Sequence, residues 1–145
     1  MWFGNGVNNT NIIFAYGDDS GGNRVPLMAI STNKLYFSFG SNTGQVLSLT
    51  TISQNVWYHG ICTYDKNYTK VYLNGILENS TYYTSANIVL SGSNGTNAGI
   101  GCLFSVHGNI VSSPRRYGTF NGKISSIKYY NRALTASEVL QNRSE

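Results

Sequence analysis

Hydrophobic and polar residues alternate with a period of two through most of the chain. In NKLYFSFG, residues 33–40, Leu35, Phe37 and Phe39 fall on one side and Lys34, Tyr36 and Ser38 on the other, the pattern of a half-buried strand. GIGCLFSV, residues 99–106, places Ile100, Cys102, Phe104 and Val106 together in the same way. NIIFAY, LMAI, VLSL, TKVYL, ANIVL and KISSIKYY are further strand candidates, separated by clusters such as GDDSGGN and SGSNGTN that supply the positive φ angles of turns. Many short strands with frequent turns and almost no helical period predict an all-β fold, a two-sheet antiparallel jelly-roll sandwich. One short helix closes the chain: Thr135 opens TASEVLQN and Glu138 follows three residues later, a capping box in which hydroxyl and carboxylate satisfy the first free amides.

The densest segment is VWYHGICTYDKNYTKVYLNGIL, from Val56 to Leu77. Trp57, His59, Ile61 and Thr63 alternate with Tyr58, Gly60, Cys62 and Tyr64, so large groups occupy both faces and an interior strand is expected. Asp65, Lys66 and Asn67 are turn formers, TKVYL returns, and Asn74-Gly75 is the pair that a two-residue type I′ hairpin demands. The whole segment reads as a three-stranded meander.

WYHGICTYD followed by VYLNG resembles the tryptophan strand and hairpin of the laminin G-like modules in the concanavalin A-like lectin and glucanase superfamily. AGIG and FNGKISSIKYYNRALTASEVLQN resemble the closing strand and capped helix of the same modules, and Trp2-Phe3 and NIIFAYGD their opening strands. The resemblance implies a concanavalin A-like sandwich over residues 1–145 as a single domain. Such modules carry further strands ahead of the position of Trp2. The chain is therefore expected to lack its first strand and to be a fragment or part of a larger protein or assembly, with the open edge offered to a neighbour. Gly60 stands where these modules carry an aliphatic residue, marking a bulge or a close approach of backbone.

Composition narrows the function. Only 11% of residues are charged, against about 25% in ordinary soluble proteins, so Asn, Ser, Thr, Gly and Tyr must cover the surface. The net charge of +4 comes from scattered bases, with Arg115 and Arg116 the one adjacent pair. Nucleic-acid binding needs bases clustered on one face and is not expected. Apolar runs fall far short of a membrane span. Cys62 and Cys102 form neither a disulfide framework nor a zinc spacing. Five sequons, at Asn8, Asn67, Asn79, Asn94 and Asn142, are close to what eighteen asparagines yield by chance, so they are no evidence of secretion.

The catalytic patterns are not met. Glycosidases of this superfamily use two nearby carboxylates, whereas no strand shows two of Asp18, Asp19, Asp65, Glu78, Glu138 and Glu145 on one face. Asp65 reads as a turn residue, Glu138 as a helix cap, and Glu78 stands alone. His59 and His107 have no triad partners, and Gly99-x-Gly101 lacks the rest of a phosphate loop. The expectation is a protein that is not an enzyme.

The resemblance implies binding instead. Related modules hold Ca²⁺ at the sandwich rim, and YGDDSGGN offers Asp18 and Asp19 as hard-oxygen ligands, set against a turn whose aspartates cap their own backbone. Glycans are the family's common ligands, and the long loop from Ser105 to Gly118, with His107, Arg115, Arg116 and Tyr117, is the first candidate contact surface because long loops on rigid sandwiches carry function. The expected role is a recognition, adhesion or structural module of a larger extracellular or particle-surface protein, meeting glycan or protein partners. The alternative is an architectural subunit of a virus or phage particle, its sheet edge completed by a neighbouring chain. Richness in Asn, Tyr and Ile beside only six Ala suits an AT-rich genome and leaves both open.

Overall fold

The computed structural model describes residues 1–3, 10–16, 26–38, 44–84, 98–105, 115–117 and 119–143, and for residues 2, 3, 10, 103–105 and 115–117 the backbone alone. Its strands are β1 (Trp2–Phe3), β2 (Thr10–Tyr16), β3 (Leu27–Ser31), β4 (Lys34–Ser38), β5 (Gln45–Leu47), β6 (Gly60–Tyr64), β7 (Tyr68–Leu73), β8 (Ile76–Tyr82), β9 (Ala98–Ile100), β10 (Leu103–Ser105), β11 (Arg115–Tyr117) and β12 (Gly122–Lys123). The helix α1 spans Ala136–Arg143. One sheet has the order β5-β4-β3-β2-β9 and another β6-β7-β8, with the pairs β1-β12 and β10-β11 beside them. Every pair of described strands is antiparallel, and one isolated bridge, Ile12 to Thr119, is parallel. The two-sheet antiparallel sandwich anticipated from the alternation is the fold.

Side-chain alternation builds the core between the two larger sheets. Ile30, Leu35, Phe37 and Val46 point inward from the first sheet and meet Val71 and Leu73 from the second. Leu27 and Ala29, at the other parity of β3, form a smaller cluster with Ile12 and Ala15 on the opposite face. A bulge in β2 between Ile12 and Phe14 explains why neighbouring isoleucines are both buried. The extra residue turns Ile13 to the main core while Ile12 stays with the outer cluster.

The three-stranded meander forms, since β6, β7 and β8 pair in sequence. Asp65 Oδ1 accepts the amides of Asn67 and Tyr68 at 3.0 and 2.7 Å and so closes the first turn. Asn74 and Gly75 sit at φ of 50° and 83°, the positive pair of a type I′ turn. The turn between β3 and β4 has the same signs, with Thr32 and Asn33 at 49° and 59°, although Thr-Asn carries no such signal in sequence. Gly60 does mark a close approach: a Cβ there would lie 3.0 Å from Met28 Cε and 3.1 Å from Leu35 Cδ2.

Four expectations are corrected. The long strand from Val56 begins only at Gly60; Trp57 lies ahead of it, 52% exposed, because the chain there pairs with the terminus rather than with β7. Met1 N donates to Tyr58 O and Tyr58 N to Met1 O, each at 2.6 Å, which sets the β1-β12 pair beside the meander sheet. GIGCLFSV is two strands rather than one, because Gly101 at φ 74° turns the chain, and Ile100 is exposed. KISSIKYY keeps only Lys123 in a strand. Ile124 and Ile127 both pack on the core, and a spacing of three cannot be met by the period of a strand. Finally, the ends of the Ser105–Gly118 loop are strapped together, since Arg115 pairs with Ser105, Arg116 with Phe104 and Tyr117 with Leu103. Phe39 and ANIVL lie outside the described residues.

The capping box is present. Thr135 N donates to Glu138 Oε2 at 2.8 Å and Glu138 N to Thr135 Oγ1 at 3.3 Å, while Arg132 grips both carboxylate oxygens at 2.9 and 2.6 Å. Val139, fully buried, packs the helix on Tyr72 and Leu134. Arg132 first, then the Thr135 amide and hydroxyl, hold the Glu138 carboxyl down at about 2. A folded value below the ordinary 4.5 means that the cap stabilises fully above that pH and is lost as pH falls toward about 2. Amides of α1 should therefore exchange faster, relative to their intrinsic rates, at pH 2 than at pH 6. Unchanged protection would contradict the cap's role.

Candidate functional site

The break in the closing strand leaves a cavity of about 750 Å³ along the side of β6 away from β7. Its floor is the sandwich core at Ile13, Met28 and Phe37. The segment 124–132 forms the opposite wall, Trp57 to Tyr64 the near one, and α1 contributes Asn142 and Arg143.

Aromatic and amide groups gather in that lining. Trp57, Tyr58, Tyr64, Tyr129 and Tyr130 all contribute, with Asn74, Asn131 and Asn142. Tyr129 is 63% exposed and packs against Phe14 with ring centroids 6.1 Å apart, inside the range of favourable tilted pairs. Tyr130 Oη donates to Asn142 Oδ1 at 2.8 Å, and Asn142 Nδ2 donates to the Glu138 carbonyl at 2.9 Å. That chain of bonds fixes the tyrosine to the helix. On the facing wall Asn74 Oδ1 accepts the amide of His59 at 3.0 Å, and Asn74 N donates back to His59 O at 2.8 Å. These polar groups are held by the hairpin turn and by α1, not by free loops.

The electrostatics are one-sided. Lys128, Arg132 and Arg143 line the cavity, and no Asp or Glu is among the described residues that do so. Arg132 is neutralised by Glu138; Lys128 and Arg143 act on His59 from the two other walls. Burial first, then the positive charges of the Met1 amino group, Arg143 and Lys128, keep His59 below its ordinary 6.5. Its Nδ1 is buried and is the one such side-chain atom without a hydrogen-bond partner among the described residues. Cys62 also lines the cavity, but burial pushes its thiol well up, so no thiolate nucleophile stands there.

Asp18, Asp19 and His107 lie outside the described residues. Arg115, Arg116 and Tyr117 are placed as backbone in β11. Among the described residues no group of three or more His, Cys, Asp or Glu is placed to hold a metal ion. The three described carboxylates are each engaged: Asp65 with Lys70 at 2.8 Å, Glu78 with the Thr50 amide and hydroxyl at 2.7 and 3.0 Å, and Glu138 with Arg132. Sequence reasoning missed Trp57, Tyr129 and Tyr130. The signal available was two aromatic doublets, WY and YY, each followed by His or Asn.

A family model described as the concanavalin A-like lectin/glucanases superfamily matches residues 1–140. The chain belongs to this family, in its Laminin_G_3 branch. Among solved structures it is similar to a candidate carbohydrate-binding protein from Bacteroides ovatus, at 18% identity and a TM-score of 0.66, covering 96% of this chain and 38% of that one. It is also similar to an S-layer domain-containing protein from Clostridium thermocellum, at 20% identity and a TM-score of 0.46, covering 99% of this chain and 67% of that one. The chain thus spans well under half the length of the Bacteroides protein. No curated protein matches it. No helix among the described residues is long and apolar enough to cross a membrane.

Proposed function

We propose that this domain is a non-enzymatic carbohydrate-recognition module, carried on the surface of a cell or particle by a larger protein, with the cavity beside β6 as its binding site. The observation that carries this reading is the cavity itself. Its volume of about 750 Å³ lies within the range of small-ligand sites, which combine aromatic walls with a few fixed polar groups. Trp57, Tyr129 and Tyr130 offer apolar ring faces to sugar C–H groups, and Asn74, Asn131 and Asn142 offer amides for hydroxyls. The carbohydrate-binding description of the Bacteroides neighbour agrees with it. Hydrolysis would require a pair of carboxylates flanking the bond, and the described residues of the lining include Lys, Arg and His but no Asp or Glu.

A glycan array followed by calorimetry tests the proposal. At least one glycan is expected to bind, without being cleaved on long incubation. Trp57→Ala should weaken that glycan at least tenfold, about 1.4 kcal/mol, with little loss of stability because the side chain is half exposed. Binding that survives Trp57→Ala unchanged would move the site elsewhere. An array with no hit, together with ordered self-assembly of the chain, would favour the architectural role.

A further inference from the structure

The main chain that borders the cavity carries a more specific reading, which rests on the proposal that it holds a saccharide. We infer that the ligand bears an N-acetylated amino sugar, whose acetamide takes the place of a neighbouring strand at the edge of β6 while its methyl group rests on the apolar floor.

The first ground is the direction of the β6 peptide groups. Asn74 N donates to His59 O, and Asp65 N donates to Tyr68 O, so the main-chain groups of His59 and Asp65 turn toward the β7 side. Between them the two strands run in one unbroken register, and bonded and non-bonded pairs alternate along an antiparallel ladder. Ile61 and Thr63 therefore bond to β7, whereas the N–H and C=O of Gly60 and Cys62 point the other way, to the side on which the cavity lies. Both residues line it and both are half-buried. Gly60 has no side chain, so the surface it shows is main chain, and Cys62 packs its side chain against the core. Among the described residues no hydrogen bond reaches either main chain from the cavity side.

The second ground is the contrast with the other edge of the same sheet. On β8 the amide of Ser80, which faces away from β7, donates to Asn79 Oδ1 at 2.9 Å, and Asn79 Nδ2 donates to Leu47 O at 3.0 Å. Those side chains blunt that edge. The β6 edge has no such cover among the described residues and opens on the cavity.

The third ground is the group that fits. A trans amide directs its C=O and its N–H to opposite sides, which is how one peptide group bridges two strands. An acetamide lying across the cavity would accept the amide of Gly60 or Cys62 with its C=O and donate its N–H toward the 124–132 wall, where Ser125, Ser126 and Asn131 line the cavity. Its methyl group would cover the floor at Ile13, Met28 and Phe37. A hydroxyl at the same place would also bond to β6, but it has no apolar part to set on that floor. The sugar ring is left for Trp57, Tyr129 and Tyr130.

The test uses chitotriose, the trimer of N-acetylglucosamine, and cellotriose. Both are neutral and β-1,4-linked, and they differ in carrying an acetamide or a hydroxyl. Titrated calorimetrically into the intact chain, chitotriose should bind at least tenfold more tightly. Amide hydrogen exchange supplies a second measurement that needs no variant. In the free chain the amides of Gly60 and Cys62 should exchange at least tenfold faster, relative to their intrinsic rates, than those of Ile61 and Thr63. Saturating chitotriose should slow one or both at least fivefold. Equal affinities, or preference for cellotriose, would overturn the inference while leaving the saccharide site standing. So would chitotriose that binds without slowing either amide, or a free chain in which Gly60 and Cys62 are as protected as their neighbours. If no glycan binds at all, both readings fall.

Discussion

Leu35→Ala should destabilise the domain by about 2–5 kcal/mol, the range for a fully buried leucine in a close-packed core. Leu35 is completely buried, and its Cδ2 lies 3.1 Å from the place where a Cβ on Gly60 would stand. It therefore spans from β4 to the backbone of β6 and ties the two sheets together. Gly60 has no side chain to move into the void, so little relaxation is available and the cost should fall in the upper half of the range. For a chain of this length about 1 kcal/mol corresponds to about 2–4 °C in Tm, so a loss of about 7–20 °C is expected by calorimetry. A loss below about 1 kcal/mol would mean that the sheets do not meet at this point.

Gly75→Val should be nearly as severe and should reach the cavity as well. The glycine holds φ at 83°, where a β-branched residue is a steric outlier. A Cβ there would lie 3.0 Å from Leu140 Cδ1 and 3.4 Å from Arg143 Cδ. The turn is thus pressed against α1, and a side chain would have to lift the helix or distort the hairpin. Backbone strain of about 1–3 kcal/mol and overpacking of about 1–3 kcal/mol both apply, giving a loss of about 2–6 kcal/mol. Since α1 holds Tyr130 through Asn142, ligand affinity should fall together with stability. Asn74→Ala, which leaves the helix contact alone but removes the acceptor for the His59 amide, should cost less stability. Denaturation midpoints of the two variants check the order; the reverse order would place the constraint in the hydrogen bond.

The fold was readable because its determinants are local. Alternation in LYF fixed the inward face of β4, Asn-Gly fixed the β7–β8 turn, and Thr135 with Glu138 fixed the start of α1. Each depends on residues within about one turn of one another, so pattern and chemistry coincide. The candidate site was not readable because nothing local defines it. Trp57 and Tyr129 are separated by most of a sheet's worth of sequence, and period-two reasoning assigned both to strands. The deciding feature was a failure of that period, Ile124 and Ile127 both turned to the core, which keeps residues 124–130 out of a strand beside β6. Arg115 and Arg116 drew notice as adjacent charges, whereas Lys128 and Arg143, fifteen residues apart in sequence, come to line one cavity only once the helix has folded back. Glu78 looked idle for the same reason, its partner Thr50 lying on a distant segment.

The central claim is that the cavity beside β6 is where this domain meets a saccharide. Amide and indole NMR shifts of the ¹⁵N-labelled chain, followed while the strongest glycan from the array is titrated in, test it most directly. The largest changes should fall on the Trp57 indole, His59, Tyr129, Tyr130 and Asn142, saturating at one common affinity. Changes centred on Arg115–Tyr117 or on the outer face of β7 and β8, with the Trp57 indole unmoved, would contradict it.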